Sequence, residues 1–247
     1  MNAQDLPLIT IVTVCYNAEK TIEESIQSVL NQTYPNIEYV IIDGGSKDHT
    51  VALLEKYKYQ LGYFISEPDN GIYDAMNKAL KVAKGDWLYF LGSDDVLINK
   101  SIIAEMVSLF TDRSTIYYGN VIFKNQNTVY NFTISKWTLC YRNISHQSLF
   151  YTKESYKSQD YDTSFIIFAD HIYNILLYGS NKYKFEHIDK VIALYNDAGA
   201  SSHIYDKKYY QKLPSTVYVN LGFTYALYVQ FRILVFKLKN SLKHLEN

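Results

Sequence analysis

Apolar runs with strand spacing alternate with segments of helical spacing through the first hundred residues. Residues 8–14 (LITIVTV) form a short β-branched run that predicts a buried parallel strand. Over 17–31 the apolar residues recur with helical spacing, and Thr21 with Glu24 fits a capping box. The same alternation predicts strands at 37–42, 63–66 and 87–91 and helices at 50–57 and 72–83. It indicates a parallel sheet with helices on both faces.

The pattern loosens beyond residue 112. Two further apolar runs predict strands at 116–123 and 128–134, and a helical period predicts a helix at 165–178. Polar residues and isolated aromatic residues predict loops over 136–151 and 196–203. The body of the chain is therefore interpreted as one α/β domain.

The C-terminal segment has a different composition. Residues 217–236 include 15 apolar side chains in 20 positions with Arg232 as the only charge, and Lys237, Lys239 and Lys243 follow. The length approaches that of a membrane span, although polar and charged side chains inside it make a full span costly. Three alternatives stay open: an amphipathic helix at a membrane surface, a helix packed on the domain or on a second subunit, and a true span.

Composition narrows the class of protein. The chain has 247 residues, 48% of them hydrophobic, a net charge of −1 and two cysteines. A disulfide scaffold, a disordered chain and a strongly basic nucleic-acid binder are disfavoured. The polar first seven residues lack the pattern of a secretory signal, so we expect a cytoplasmic protein.

All four N-terminal strands end in polar residues. These endings read YN at 16–17, DGGS at 43–46, EPDNG at 67–71 and SDD at 93–95. Because ligands bind beyond the carboxyl ends of strands in an open parallel sheet, the four endings predict a site at one rim. Neither of the two common glycine-rich phosphate-binding patterns follows the first strand, which disfavours a P-loop kinase and a dinucleotide dehydrogenase.

Asp94 and Asp95 are the sharpest candidates for chemistry. Two adjacent carboxylates after a buried strand repel each other, and Mg²⁺ or Mn²⁺ with oxygen ligands would neutralise them. Such an ion would also hold a diphosphate and stabilise it as a leaving group. The alternative is a solvated turn in which one aspartate caps the next helix.

Two blocks of the sequence are distinctive: TIVTVCYNAEKTIEESIQSVLNQTYPNIEYVIIDGGSKDHT at 10–50 and EPDNGIYDAMNKALKVAKGDWLYFLGSDD at 67–95. The first closely resembles the opening of family 2 inverting glycosyltransferases of the GT-A fold. The second resembles a further signature of that family, as found in bacterial enzymes that build O-antigen, capsule and exopolysaccharide. HQSLFY at 146–151 and FAD at 168–170 resemble the acceptor-side elements more weakly. The resemblance implies a nucleotide-sugar-binding half at 1–96 and an acceptor-side half at 97–205, and it says little about the rest. The apolar composition of the last segment predicts a helical tail at 206–247 that contacts a membrane or a second subunit.

The resemblance also implies roles for single residues. The nucleotide pocket would be lined by Thr13, Tyr16 and Glu19, and Asp43 would contact the base edge. The ribose, diphosphate or sugar would lie near Asp69, Gly71, Asn77 and Ser93. In the D-x-D-type element, Asp94 would face the ribose and Asp95 would bind Mn²⁺ or Mg²⁺. By the resemblance, Asp170 would be the general base, whereas spacing alone favours a helix N-cap at this position.

Two histidines complete the set of candidates. His146 and His203 are each interpreted as an acceptor contact or a metal ligand. By the resemblance, the donor is a UDP-hexose or UDP-N-acetylhexosamine and the acceptor is a saccharide on a polyprenyl diphosphate at the inner face of the cell membrane. A homo-oligomer is an open alternative, and no nucleic-acid partner is expected. The rival hypotheses are a sugar nucleotidyltransferase and a nucleotide-sugar-binding protein without activity.

Overall fold

A computed structural model describes residues 6–197 and 206–243, with side chains to residue 238. Within them, one mixed sheet has nine strands. The strands are β1 Ile9–Cys15, β2 Ile37–Asp43, β3 Tyr63–Ser66, β4 Trp87–Phe90, β5 Val96–Leu97, β6 Thr115–Phe123, β7 Thr128–Tyr130, β8 Leu149–Thr152 and β9 Lys184–Tyr195. The helices are α1 Ile22–Leu30, α2 Thr50–Tyr57, α3 Ile72–Val82, α4 Ile102–Val107, α5 Lys136–Leu139, α6 Lys153–Ser158, α7 Ala169–Gly179, α8 Lys207–Leu221 and α9 Phe223–Lys243.

The strand order is β3-β2-β1-β4-β8-β6-β9-β5, with β7 beside β6. The first four strands are parallel, as the alternating pattern predicts. Beyond β4 the sheet is mixed, because β8 runs antiparallel to both of its neighbours while β6 and β9 are parallel. The predicted α/β class is confirmed, and its parallel character belongs to the N-terminal half.

Helices cover both faces of the sheet. One apolar cluster joins alternate residues of β1, β2 and β4 to α3, α7 and α8. The other joins the intervening residues of the same strands to α1, α2 and α4. Strands that are buried on both faces read as continuous apolar runs, which is why the first four were recognisable in the sequence.

Several predicted boundaries are wrong. Helix α1 begins at Ile22 rather than at residue 17, and its N-cap Thr21 makes no side-chain capping bond, so the capping box is absent. Helix α7 begins at Ala169, because Phe168 before it adopts a left-handed φ of 67°. The predicted strand at 128–134 ends at Tyr130. Strand β8 and helix α5 lie where a loop was predicted, over 136–151.

The C-terminal segment forms two helices instead of one. Gly222, with a φ of 116°, separates α8 from α9. Leu213, Val217, Ala226 and Val229 enter the same apolar cluster as α7, so the inner side of the pair packs on the domain. In the described part of the chain, no helix is long and apolar enough to cross a membrane.

Candidate functional site

The loops after β1 and β2 interlock at the carboxyl rim of the sheet. Asn17 donates its backbone N–H to Ser46 Oγ (2.8 Å) and accepts from Lys47 N (2.7 Å). Glu19 accepts from His49 N through Oε2 (2.9 Å). Tyr16 stands on this rim with 60% of its surface exposed. Tyr16 and Glu19 both lie at this rim, and their contact with a nucleotide stays a prediction. A cleft of about 500 Å³ opens between Glu19 and α2.

Asp43 ends β2 and is fully buried. Its Oδ2 accepts from Gly45 N (3.1 Å), Ser46 N (2.9 Å) and Ser66 Oγ (2.6 Å), and its Oδ1 accepts from Ser46 Oγ. The carboxylate therefore fixes the loop that follows β2. Its contact with a base edge stays a prediction, and such a contact would have to share these oxygens.

Two of the candidate residues serve the interior instead. Thr13 is fully buried, and its hydroxyl pairs with Tyr39 Oη at 3.0 Å. Asn77 Nδ2 donates to Tyr161 O (2.9 Å) and its Oδ1 accepts from Tyr161 N (2.8 Å). The side-chain polar groups of Thr13 and Asn77 are thus used inside the protein, and the expected place of both residues in the donor pocket stays a prediction.

The loop between β3 and α3 carries two more candidates. Asp69 Oδ1 accepts from Gly71 N (2.9 Å), and Gly71 has a φ of 111°. Asp69 also lies so close to Gly44 that a Cβ there would overlap its carboxylate. Two neighbouring loops therefore meet at this point of the rim, and Asp69 and Gly71 stay predicted donor contacts.

The aspartate pair, Asp94 and Asp95, divides into one buried and one accessible carboxylate. Asp95 is 1% exposed and accepts from Gln147 Nε2 (2.7 Å), Asn196 N (2.7 Å) and Gly92 N (3.2 Å). Burial raises the pKa of Asp95 to about 6, against the opposing effect of the Asn196 N–H. Asp95 is thus fully engaged in holding its own loop.

Asp94 faces outward and is half-buried, as is Ser93 before it. Asn196 Nδ2 donates to Asp94 Oδ2 at 2.8 Å, and among the described residues nothing donates to Oδ1. The position of Asp94 leaves an oxygen for a ligand or ion, whereas the surroundings of Asp95 do not. The binding of an ion by Asp95 stays a prediction, and Asp94 is the member of the pair with an accessible oxygen.

Asp170 stands in the first turn of α7 within the Asp170 cluster, which also contains Tyr73, Asn143 and His146. Its Oδ1 accepts from Tyr73 Oη (3.1 Å), and its Oδ2 accepts from Asn143 Nδ2 (2.9 Å) and lies 3.3 Å from His146 Nδ1. Burial opposes ionisation, but the bonds from His146 and Asn143 outweigh it, so the pKa of Asp170 lies below its ordinary value. The carboxylate is therefore held in its charged form.

His146 and Gln147 connect the two acidic sites. They are adjacent in the short 3-10 turn before β8, and the first contacts Asp170 while the second contacts Asp95. His146 retains 22% of its side-chain surface. The fold thus joins Asp95 and Asp170, which lie far apart in sequence, through two consecutive residues.

The Asp170 cluster has a second layer built by α8. His171, next to Asp170, pairs with Tyr209 Oη through Nδ1 (2.6 Å) and with Leu139 O through Nε2 (2.8 Å). Asp206 accepts from Ile166 N (2.7 Å) and caps α8 through Tyr209 N (3.1 Å). Burial lowers the pKa of His171 to about 4, so this imidazole is neutral at pH 7.

The sequence did not reveal Tyr73, Asn143, Gln147 or Asn196 as parts of the site. Each is an uncharged polar residue whose partner lies between 27 and 102 positions away. The HQSLFY motif pointed to the neighbourhood of Gln147, and no local signal marked the other three. His203 lies outside the described residues.

The side chains of this site can be compared with those that usually bind a divalent ion. Across 6–197 and 206–243, no cluster of three or more His, Cys, Asp or Glu side chains could hold a metal by itself. Mg²⁺ is usually bound by one or two carboxylates together with substrate phosphates. The Oδ1 of Asp94, to which no described residue donates, fits an ion that a diphosphate helps to hold.

Comparison with known sequences agrees with this picture. The model of the family "Glycosyl transferase family 2" matches residues 10–177. A PGL/p-HBAD biosynthesis glycosyltransferase of Mycobacterium bovis is 28% identical over 229 residues, 90% of each chain. The Escherichia coli enzyme WfgD, named UDP-Glc:alpha-D-GlcNAc-diphosphoundecaprenol beta-1,3-glucosyltransferase, is 33% identical over 138 residues, 56% of this chain and 54% of that one.

Solved structures share the fold at lower identity. S. aureus TarS in complex with UDP-GlcNAc aligns with a TM-score of 0.70 at 20% identity, over 86% of this chain and 66% of that one. The mannosyltransferase PcManGT of Pyrobaculum calidifontis, in complex with GDP-Man and Mn²⁺, aligns with a TM-score of 0.64 at 17% identity, over 93% and 74%. The chain spans about two thirds of the TarS chain.

Proposed function

The chain belongs to glycosyl transferase family 2, and from this premise we propose that it moves one sugar from a UDP-sugar to a saccharide on a polyprenyl diphosphate, with inversion at the anomeric carbon. It is a glycosyltransferase by its family. The donor is proposed because TarS binds UDP and UDP-GlcNAc. The acceptor is proposed from WfgD, whose name specifies a diphosphoundecaprenol-linked sugar.

One observation carries the proposal: the consecutive residues His146 and Gln147 tie the Asp170 cluster to the aspartate pair. A displacement at the anomeric carbon needs a base for the acceptor hydroxyl and stabilisation of the leaving diphosphate. Asp170 supplies the first and the rim around Asp94 supplies the second. A single in-line attack between them inverts the configuration.

Asp170 acts as the base because its environment keeps it ionised. The carboxylate receives bonds from Tyr73 and Asn143, and its pKa lies below the ordinary value. As the acceptor hydroxyl attacks the anomeric carbon, Asp170 Oδ2 takes the hydroxyl proton. The contact with His146 Nδ1 orients Asp170 Oδ2 for this transfer. His146, with its exposed edge, is proposed as an acceptor contact.

Asp94 is proposed as the residue that holds Mg²⁺ or Mn²⁺ together with the donor diphosphate. When bound, the ion would neutralise charge that develops on the leaving diphosphate. Asp95 supports Asp94 from beneath by fixing the loop through Gly92 and Asn196. Asn196 orients Asp94 through the other oxygen.

The remaining rim residues are proposed to bind the donor. Tyr16 would stack on the base and Asp43 would contact the base edge. Around the phosphates and the sugar would lie Glu19, Asp69, Gly71 and Ser93. The halves at 1–96 and 97–205 correspond to donor and acceptor sides, and 206–247 is a tail. The pathway would be assembly of O-antigen, capsule or another surface polysaccharide at the inner face of the cell membrane.

The test is donor hydrolysis by the purified full chain. A panel of UDP-, GDP- and dTDP-sugars is offered with Mn²⁺, with Mg²⁺ and with chelator, and release of the nucleoside diphosphate is followed. We expect metal-dependent release from one UDP-sugar, because water can replace the acceptor. Calorimetric titration with UDP and Mn²⁺ accompanies it. Absence of both turnover and UDP binding would overturn the proposal.

A further inference from the structure

Helices α8 and α9 form an antiparallel hairpin at the C-terminus. Near its open end the ring of Tyr210 stacks on that of Phe236, with centroids 5.8 Å apart. At the Gly222 turn, Tyr218 meets Phe223 at 6.4 Å. A cleft of about 230 Å³ between the two helices is lined by residues of both, including Pro214 and Ile233. The two helices thus run side by side over most of their length.

One side of α9 faces the protein. Ala226 and Val229 are buried, and Trp137 packs on Tyr225 and Tyr228 with ring centroids 4.7 and 5.4 Å apart. The Arg232 guanidinium lies 5.5 Å from the ring of Tyr141. These contacts fix the rotation of α9 about its axis, and with it the side that faces away.

The outer side of α9 carries an apolar stripe. Its members are exposed by 47–64%: Phe223, Leu227, Phe231, Leu234 and Leu238. Their spacing of four, four, three and four residues keeps them on one helical face, over a length of about 22 Å. Tyr218 and Val219 of α8 extend the apolar surface at the turn. A continuous stripe of this kind marks an interaction surface more strongly than scattered exposed residues do.

The charge of the hairpin differs from that of the rest of the chain. Residues 207–243 contain seven basic residues and no acidic one, whereas 1–206 contain 17 basic and 24 acidic residues. Lys207, Lys208 and Lys212 are exposed on α8 at the open end, and Lys237 lies at the same end of α9. An apolar stripe beside lysines is the pattern of a helix that lies in the interface of an anionic membrane.

We propose that the hairpin docks on an anionic lipid surface, with the apolar stripe in the headgroup region and the lysines on lipid phosphates. A second copy of this chain fits the stripe less well, because two such hairpins would bring like charges together.

The inner side of α9 lies near the Asp170 cluster. Tyr141 contacts Arg232 of α9, and Asn143, two residues further, donates to Asp170 at 2.9 Å. Two residues of extended chain span about 7 Å at most. The proposed docking itself does not depend on the proposed transfer reaction.

The experiment is flotation of the full chain with vesicles of neutral phosphatidylcholine and with vesicles containing 30% phosphatidylglycerol. No sugar donor is present, so the result is independent of the proposed function. We expect binding to the anionic vesicles that weakens as salt rises. The double variant Phe231→Ser with Leu234→Ser should bind at least tenfold more weakly. Lys208→Glu with Lys212→Glu should lose binding mainly at low salt.

Two matched variants control for general effects. Tyr59→Ser removes a more exposed aromatic residue outside the hairpin, and Lys182→Glu reverses an exposed charge on the body of the domain. Both should bind like the wild type, and all variants should keep its melting temperature. Failure of the wild type to float, or equal binding to neutral vesicles, would overturn the proposal. A dimer that Phe231→Ser dissociates, without vesicle binding, would identify a second copy as the occupant and overturn it too.

Discussion

Asp95 and Asp170 are two buried acids joined through adjacent residues, yet their neighbours move their pKa values in opposite directions. Around Asp95, burial and the negative charge of Asp94 favour the protonated form and raise the pKa to about 6. Around Asp170, burial is outweighed by the bonds from His146 and Asn143, and the pKa is lowered. Depth alone therefore does not decide which carboxylate can act as a base; the donors around it do.

The two acids also affect stability with opposite signs. The raised pKa of Asp95 contributes stability that is present below the unfolded value of about 3.9 and lost as pH rises through about 6. The lowered pKa of Asp170 contributes stability above the unfolded value that is lost as pH falls through the folded pKa. Near neutral pH, the ionised Asp95 therefore lowers the free energy of unfolding relative to the protonated form.

The largest effect should come from Asp170→Asn. The amide cannot take the proton of the acceptor hydroxyl, so we expect the transfer rate to fall about 10²- to 10⁴-fold. Donor binding, measured by titration with the UDP-sugar, should be unchanged. Asp86→Asn is the control, because Asp86 accepts from Leu8 N at the opposite edge of the sheet. Transfer by Asp170→Asn at the wild-type rate would remove Asp170 from the role of base.

The next test separates the members of the aspartate pair. Asp94→Asn should reduce transfer about a hundredfold and raise the Mn²⁺ concentration that gives half-maximal rate, with little change in melting temperature. Asp95→Asn should lower the melting temperature, because an amide group must face at least one of the three N–H donors. The expected loss is about 1–3 kcal/mol of unfolding free energy.

Rates across a Mn²⁺ series and thermal melts of both variants measure the difference. If Asp95→Asn changed the Mn²⁺ dependence while Asp94→Asn did not, the assignment implied by the resemblance would be restored. Gly92→Ala provides a further check on the buried member, because a Cβ there would overlap the Asp95 carboxylate. It should resemble Asp95→Asn in stability.

The fold and the site differ in how much of each could be predicted from the sequence. Strands β1 to β4 and helices α2 and α3 were predictable because each is a contiguous pattern that packs against its neighbours in sequence. Strand β8 was not, since it lies in a stretch without alternating strand and helix signals and its role depends on antiparallel pairing with both β4 and β6. The acidic residues of the site carried a family signature; the donors that set their pKa values, such as Asn143, did not.

A smaller effect is expected for His146→Gln, and it appears as pH dependence. Without the His146 contact, burial of Asp170 is less well opposed and its pKa rises. A base must be ionised to act, so the acid limb of kcat/KM should move to higher pH. We expect the rate to fall severalfold at pH 5 and little at pH 8. An acid limb that stays in place, measured from pH 4.5 to 8.5, would show that His146 does not set the charge of Asp170.

The smallest effect is expected for Tyr209→Phe. This variant tests whether the C-terminal helices position the Asp170 cluster specifically or only stabilise the whole fold. Tyr209→Phe removes the 2.6 Å bond from α8 to His171, with an expected loss of about 1 kcal/mol in unfolding free energy. His171 directly follows Asp170, so a freer imidazole should also lower kcat about two- to fivefold while KM for the donor stays constant. Tyr34→Phe is the matched control, because its hydroxyl donates to Pro7 O at the same distance in the donor half. Tyr34→Phe should lose a similar amount of unfolding free energy and keep the wild-type kcat. If Tyr209→Phe and Tyr34→Phe changed kcat equally, α8 would support the fold in general and not the position of the base.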